Sequence, residues 1–213
     1  MSRVARFITL EGIEGVGKTT QVAFIAQLLA ARNIDHWVTR EPGGTPLAEK
    51  MRSLALVADT ENLPPMAELL LMFAARSVHL TNAIEPALKV GRWVLCDRFT
   101  DATYAYQGAG RGIASEPIEK LEWMVQGTRR PDLTLLLDAP VEIALERASV
   151  RSATLQKDRF ERERHEFFER VRAQYLARAA AEPQRIKVVD ANAPPSSVRA
   201  QIQKILESSS WMY

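Results

Sequence analysis

Gly12-Ile13-Glu14-Gly15-Val16-Gly17-Lys18-Thr19 is the stretch on which the reading of this chain turns. It satisfies the pattern GxxxxGK[ST] in full. An apolar run, Arg6-Phe7-Ile8-Thr9-Leu10, precedes it, and a helix-patterned segment opens at its end. The glycines let the backbone curl until several N–H groups face one anion, and the start of the helix adds partial positive charge. Lys18 is placed to reach the β- and γ-phosphates of ATP, and the Thr19 hydroxyl to ligate Mg²⁺. A chance glycine turn would lack both flanks. Gly12, Ile13, Glu14, Gly15, Val16, Gly17, Lys18, Thr19 and the following Thr20 are the expected ATP-binding set.

Outward from this loop, short apolar runs alternate with longer helical patterns, as in a parallel sheet covered by helices. Strands are expected at Arg6 to Leu10, Trp37 to Thr39, Arg92 to Cys96, Leu133 to Leu137 and Ile186 to Val189. Helices are expected at about Lys18 to Ala31, Pro46 to Leu56, Pro65 to Lys89, Val141 to Val150, up to about Ala181, and Pro195 to Glu207. The long Pro65 to Lys89 segment should be broken or bent near its middle. A loop-and-helix region with Gly108, Gly110 and Gly112 follows the third strand. The fold class is α/β, a P-loop NTPase with a central parallel sheet flanked by helices.

Composition narrows the partners. The 213 residues favour one domain spanning 1–213, and 46% apolar residues suffice for a packed core. A formal net charge of +2 gives no reason to expect a nucleic-acid binder. Basic residues cluster between Arg147 and Arg172 with glutamates interleaved, which reads by itself as a solvated helix face. Cys96 is the only cysteine, so neither an intrachain disulfide nor a cysteine metal site can form, and its apolar setting suits a buried core residue. The N-terminus shows no signal-peptide apolar region, and no stretch is long enough to cross a bilayer. A soluble cytoplasmic protein without membrane contact is expected. His36, His79 and His165 are scattered and suit surface or core roles rather than catalysis.

The glycine loop alone does not separate a kinase from a GTPase or an ATPase motor. The chain has no Asn-Lys-x-Asp element to read guanine and no second ATPase module. Asp97 closes a buried strand, where ligands gather in open α/β sheets. There it can hold Mg²⁺ through water or orient Arg98, or serve only as a turn aspartate.

Further stretches resemble the thymidylate kinase family in its bacterial form. They are Thr39-Arg40-Glu41-Pro42-Gly43-Gly44-Thr45, Phe73-Ala74-Ala75-Arg76, Asp97-Arg98, Ala105-Tyr106-Gln107-Gly108, and Arg130-Pro131-Asp132-Leu133 leading to Leu137-Asp138. The resemblance covers essentially the whole chain. It implies a nucleoside monophosphate kinase-like fold that passes the γ-phosphoryl of ATP to dTMP, with Mg²⁺, in a homodimer. It assigns Arg98 and Arg52 to the dTMP phosphate, Phe73 to stacking on the base and Arg76 to the base edge. Thr103 and Gln107 fall near the pyrimidine, Tyr106 crowds the sugar 2′ position, and Glu14 faces the acceptor sugar and Arg98. Without the resemblance, Arg52 would read as a helix-surface charge and Phe73 as core filler.

The acceptor phosphate is largely deprotonated near neutral pH, since such groups have a second pKa of about 6. No general base is required, and catalysis reduces to alignment and charge stabilisation. Lys18 is the only cation in the glycine loop. The segment of about 147–164 resembles the arginine-bearing lid of the bacterial enzymes, so Arg147, Arg151 and Arg159 are candidates to meet the transferring phosphoryl. Two other readings stay open: a kinase of another mononucleotide or deoxynucleoside, and a nucleotide-binding switch without catalysis.

Overall fold

The computed structural model describes residues 4–56, 62–152 and 165–209, with 150–152 by backbone alone. Strands β1 (Phe7–Glu11), β2 (His36–Arg40), β3 (Trp93–Asp97), β4 (Leu133–Asp138) and β5 (Ile186–Asp190) form one parallel sheet in the order β2-β3-β1-β4-β5. The three inner strands are apolar runs because helices cover both their faces. β1 is buried throughout, whereas the edge strands leave Val38 and Val188 exposed.

Side chains alternate between the two faces, as the period of 2 requires. Ile8, Leu10, Trp93 and Leu95 join one core with residues of helices α1 (Lys18–Ala31), α8 (His165–Ala181) and α9 (Pro195–Ser208). Phe7, Val94 and Cys96 join the opposite core with Phe99, Leu80 and Ile84. Helices α2 (Pro46–Leu56), α3 (Pro65–His79), α4 (Glu85–Lys89), α5 (Thr100–Thr103), α6 (Ser115–Gln126) and α7 (Val141–Ser152) complete the described elements. The bend expected within Pro65 to Lys89 is a π-helical turn, Leu80–Ile84, between α3 and α4. A second π-helical stretch, Tyr104–Gly110, continues α5.

Strand register positions the site. Leu10 lies beside Asp97, and Asp97 beside Arg40, so β1, β3 and β2 end at one level. The glycine loop, the loop after Arg40 and the turn after Asp97 therefore open onto the same carboxyl edge of the sheet, where α/β folds place ligands.

Candidate active site

At that edge lies a cleft of about 260 Å³. Glu14, Gly15, Gly17, Lys18 and Thr19 line it from the glycine loop, and Asp97 and Arg98 from the end of β3. Arg52, Arg76, Thr103, Tyr106 and Gln107 close it from α2, α3, α5 and the π-helical stretch. Ile13 and Val16 are buried behind the loop and anchor it in the core. Thr20 is exposed on α1 and does not line the cleft. Gly15 has φ 81°, and a Cβ there would meet the Ala144 carbonyl oxygen at 1.8 Å, so only glycine lets the loop lie this close to α7.

The Lys18 ammonium donates to the carbonyls of Gly12 and Ile13 at 3.0 and 2.8 Å. Burial, reinforced by the nearby Arg98 charge, lowers its pKa to about 7 against the partial opposition of Asp97, Glu14 and Glu11. Glu11, directly before the loop, moves the other way: burial first and Asp101 second push its carboxyl up, and Arg98 restrains it. Its two oxygens accept from the Phe99 N–H at 2.7 Å and the Tyr175 hydroxyl at 2.8 Å.

Arg98 adopts φ 71°, a left-handed backbone that costs a non-glycine residue on the order of 1–3 kcal/mol. The conformation is held from both sides. The Arg98 N–H donates to the Leu10 carbonyl at 2.9 Å, and the next N–H is the one caught by Glu11. The strained turn places the guanidinium over the Tyr106 ring, 4.6 Å from its centroid, with Nη1 3.5 Å from the Tyr175 hydroxyl. Tyr106 in turn meets Phe167, Phe168 and Tyr175 of α8 edge-on.

Arg76 donates through Nε to Glu41 at 2.7 Å and through Nη2 to the Thr103 hydroxyl at 3.0 Å. Its Nη1 is buried with no hydrogen-bond partner among the described residues, in a side chain that borders the cleft. Gln107 donates to the buried Glu68 at 2.8 Å, and Arg52 to the Pro42 carbonyl at 3.1 Å. Asp97 Oδ1 is likewise buried with no partner among the described residues. That oxygen and the Thr19 hydroxyl, which belongs to the lining of the same cleft, are the donor chemistry a hard divalent cation takes.

Two expectations meet a different geometry. Phe73 does not line the cleft. Its ring packs with Leu69, Tyr104 and Ile118 and lies 4.9 Å below the Arg76 guanidinium, while Met72 presents its side chain to the cleft. Arg147 also stays away from the cleft, donating to the Ala191 carbonyl at 2.9 Å beyond β5. The Arg151 side chain and all of Arg159 lie outside the described residues, as does most of the expected lid of 147–164. Sequence reasoning assigned no role to Arg40, Glu41, Pro42, Met72 or Phe99, which also line the cleft. The first three belong to the Thr39–Thr45 stretch, whose resemblance was visible but whose individual contacts were not.

Comparison with known proteins agrees with this geometry. A family model described as thymidylate kinase matches residues 10–202. The thymidylate kinase of Teredinibacter turnerae is 55% identical over 203 residues, covering 95% of this chain and 98% of the relative. That of Chromohalobacter salexigens is 58% identical over 198 residues, 92% of each chain. The crystal structure of thymidylate kinase from Ehrlichia chaffeensis superposes with a TM-score of 0.74 at 33% identity, covering 95% of this chain and 98% of that one.

Proposed function

The chain belongs to the thymidylate kinase family, and from that premise we propose how its cleft performs the ATP-dependent phosphorylation of dTMP to dTDP. The observation that carries the assignment is the convergence of Lys18, Arg98, Arg52 and Arg76 on one cleft at the mouth of the glycine loop. Two anions must be brought together there against their mutual repulsion. The loop amides and Lys18 take the β- and γ-phosphates of ATP. Arg98 and Arg52 take the dTMP phosphate through guanidinium forks.

The base lies toward α3. Arg76 Nη1 and the Gln107 amide meet its polar edge, Thr103 fixes Arg76, and the Met72 thioether is the apolar surface beneath the ring. Tyr106, wedged by the α8 aromatics, occupies the space a 2′-hydroxyl would need. Glu14 faces the acceptor sugar. A dTMP phosphate oxygen attacks the γ-phosphorus, the bond to the β,γ-bridging oxygen breaks, and ADP leaves. No side chain has to remove a proton first. Asp97 and Thr19 would hold Mg²⁺, which supplies charge neutralisation across the β- and γ-phosphates when bound. Arg151 and Arg159 are assigned to the transferring phosphoryl on sequence resemblance alone, and Arg147 to the stem of that segment.

The chain is read as one kinase domain that works as a homodimer in the cytoplasm. No described helix is long and apolar enough to cross a membrane. Coupled detection of ADP with each mononucleotide in turn tests the substrate assignment. Turnover with dTMP should exceed that with other mononucleotides by at least about tenfold, the discrimination that one missing methyl group in an apolar pocket allows. Equal or faster use of another mononucleotide would refute it.

A further inference from the structure

Behind the base-facing wall of the cleft lies a buried chain of four polar side chains running from β2 to Arg76. The Thr39 hydroxyl is 2.8 Å from His79 Nε2, and His79 Nδ1 is 2.9 Å from Glu41 Oε1. Glu41 Oε2 then accepts from Arg76 Nε at 2.7 Å. Burial is nearly complete, with His79 at 0%, Arg76 at 3% and Glu41 at 4% exposure. With its proton on Nδ1, the imidazole donates to Glu41 and accepts from Thr39, so both ring nitrogens are satisfied. A carboxylate buried this deeply needs a donor at each oxygen, and Glu41 has one from His79 and one from Arg76.

We propose that His79 is a positioning residue for acceptor recognition, holding Glu41 so that Glu41 fixes the guanidinium of Arg76 at the cleft wall. The inference rests on the reading above in which Arg76 meets the base edge. The imidazole does not touch the cleft, and it acts through one carboxylate. Its placement keys two elements together. Thr39 and Glu41 belong to β2 and the loop after it, while His79 closes α3, three residues beyond Arg76. The loop is also shaped around the ring. Gly44 has φ 83°, and a Cβ there would lie 2.3 Å from His79 Nε2 and 2.5 Å from Thr39 Oγ1. Removing the Nδ1 donor releases one oxygen of Glu41, which can then rotate and take Arg76 with it. Arg76 follows the carboxylate at the expense of its Thr103 contact, and Nη1 loses its fixed aim.

Two amide substitutions separate this role from that of a core filler. An asparagine nitrogen takes the place of His Nδ1, whereas a glutamine nitrogen reaches the place of Nε2. Steady-state kinetics with ATP and dTMP should show His79→Gln and His79→Leu raising KM for dTMP about tenfold, with kcat and KM for ATP held within about threefold, the scale of one lost charge-assisted hydrogen bond. His79→Asn should recover most of the dTMP affinity although it packs no better than glutamine. Melting temperatures are recorded for each variant, so a leucine variant that fails to fold leaves the Asn–Gln contrast decisive. If Asn and Gln variants shift both KM values and kcat in parallel with melting temperature, His79 is only core and the proposal fails. Arg76→Lys serves as the control. An unchanged KM for dTMP in that variant would withdraw the base-edge reading and the relay with it, whereas an Arg76 effect without an Asn–Gln contrast would overturn the relay alone.

Discussion

Lys18 is the residue whose charge the fold leaves most open to its ligand. Its folded-state pKa of about 7 lies below the ordinary 10.5 because burial disfavours the ammonium. Between those values the unfolded chain binds more protons at this site than the folded one, so this site's contribution makes stability rise with pH over that window. Triphosphate reverses the balance, since anionic oxygens favour the charged form. ATP binding at pH 8 should therefore take up a fraction of a proton approaching one, read by titration calorimetry as a slope of enthalpy against buffer ionisation enthalpy. In Lys18→Arg, where the cation cannot deprotonate, the slope should vanish. A wild-type slope of zero would show that Lys18 is already charged without ATP. Met72 and Phe73, neighbours on α3, divide two roles between them. Both flank Arg76 on the helix surface, and spacing alone does not say which flank meets the cleft. Packing against Leu69, Tyr104 and Ile118 turns Phe73 inward. Phe73→Ala should cost about 3–5 kcal/mol in denaturant unfolding, and Met72→Ala should act mainly on KM for dTMP. The reverse pattern would restore Phe73 to the base.

Among the elements, α8 is the one that ties the acceptor side of the cleft together. It follows the 153–164 segment and presents Phe167, Phe168 and Tyr175 to Tyr106, while Arg172 grips Asp138 at the end of β4 through bonds of 2.7 and 2.9 Å. Tyr175 is the polar point of this face, its hydroxyl lying between Glu11 and Arg98. Tyr175→Phe keeps the ring and removes that hydroxyl, leaving the buried Glu11 oxygen without its donor. Loss of about 1–3 kcal/mol of stability is expected, together with a raised KM for dTMP as Arg98 loosens. Unchanged urea unfolding and unchanged KM would remove Tyr175 from this role. Most of these elements were legible in the sequence, because the periodicities of 2 and 3.6 are local properties of the chain. The bend within Pro65 to Lys89 was legible too, as a break in one long helical pattern. What each element turns toward the cleft was not. The π-helical stretch Tyr104–Gly110 widens the turn and rotates the residues that follow, so Tyr106 and Gln107 were reached through family resemblance rather than through periodicity. The sequence suits His79 to a surface or a core role without choosing between them. The structure buries it, and its link to Glu41 depends on two elements meeting across 38 residues.

At the scale of the whole molecule, the described surface carries large apolar side chains that burial within one chain does not explain. Leu47 and Leu54 on α2, Met66 and Leu70 on α3, and Trp123 and Met124 on α6 are each 45–78% exposed. α2 packs on α3 and α3 on α6, so these helices form one contiguous layer on the sheet. That layer is the face assigned here to the homodimer contact, where a two-fold axis would set the same patch against itself. A stable interface of that kind needs roughly 1,200–2,000 Å² of total buried surface with an aromatic or aliphatic centre, and Trp123 at 66% and Leu70 at 50% exposure would supply such a centre. Such a contact would bear on the site. The outer side of α3 carries Leu70, and its inner side carries Met72 and Arg76, so pinning one side steadies the other. Light scattering of the eluting protein should give twice the 23.9 kDa chain mass for the wild type. Leu70→Glu combined with Trp123→Glu should shift the molecule to single chains at micromolar concentration, because each chain would set two like charges against the two of its partner. Those single chains should remain folded by circular dichroism, bind ATP with little change and lose affinity for dTMP. A wild-type protein that elutes as a single chain, or a double variant that still pairs, would place the contact elsewhere or remove it.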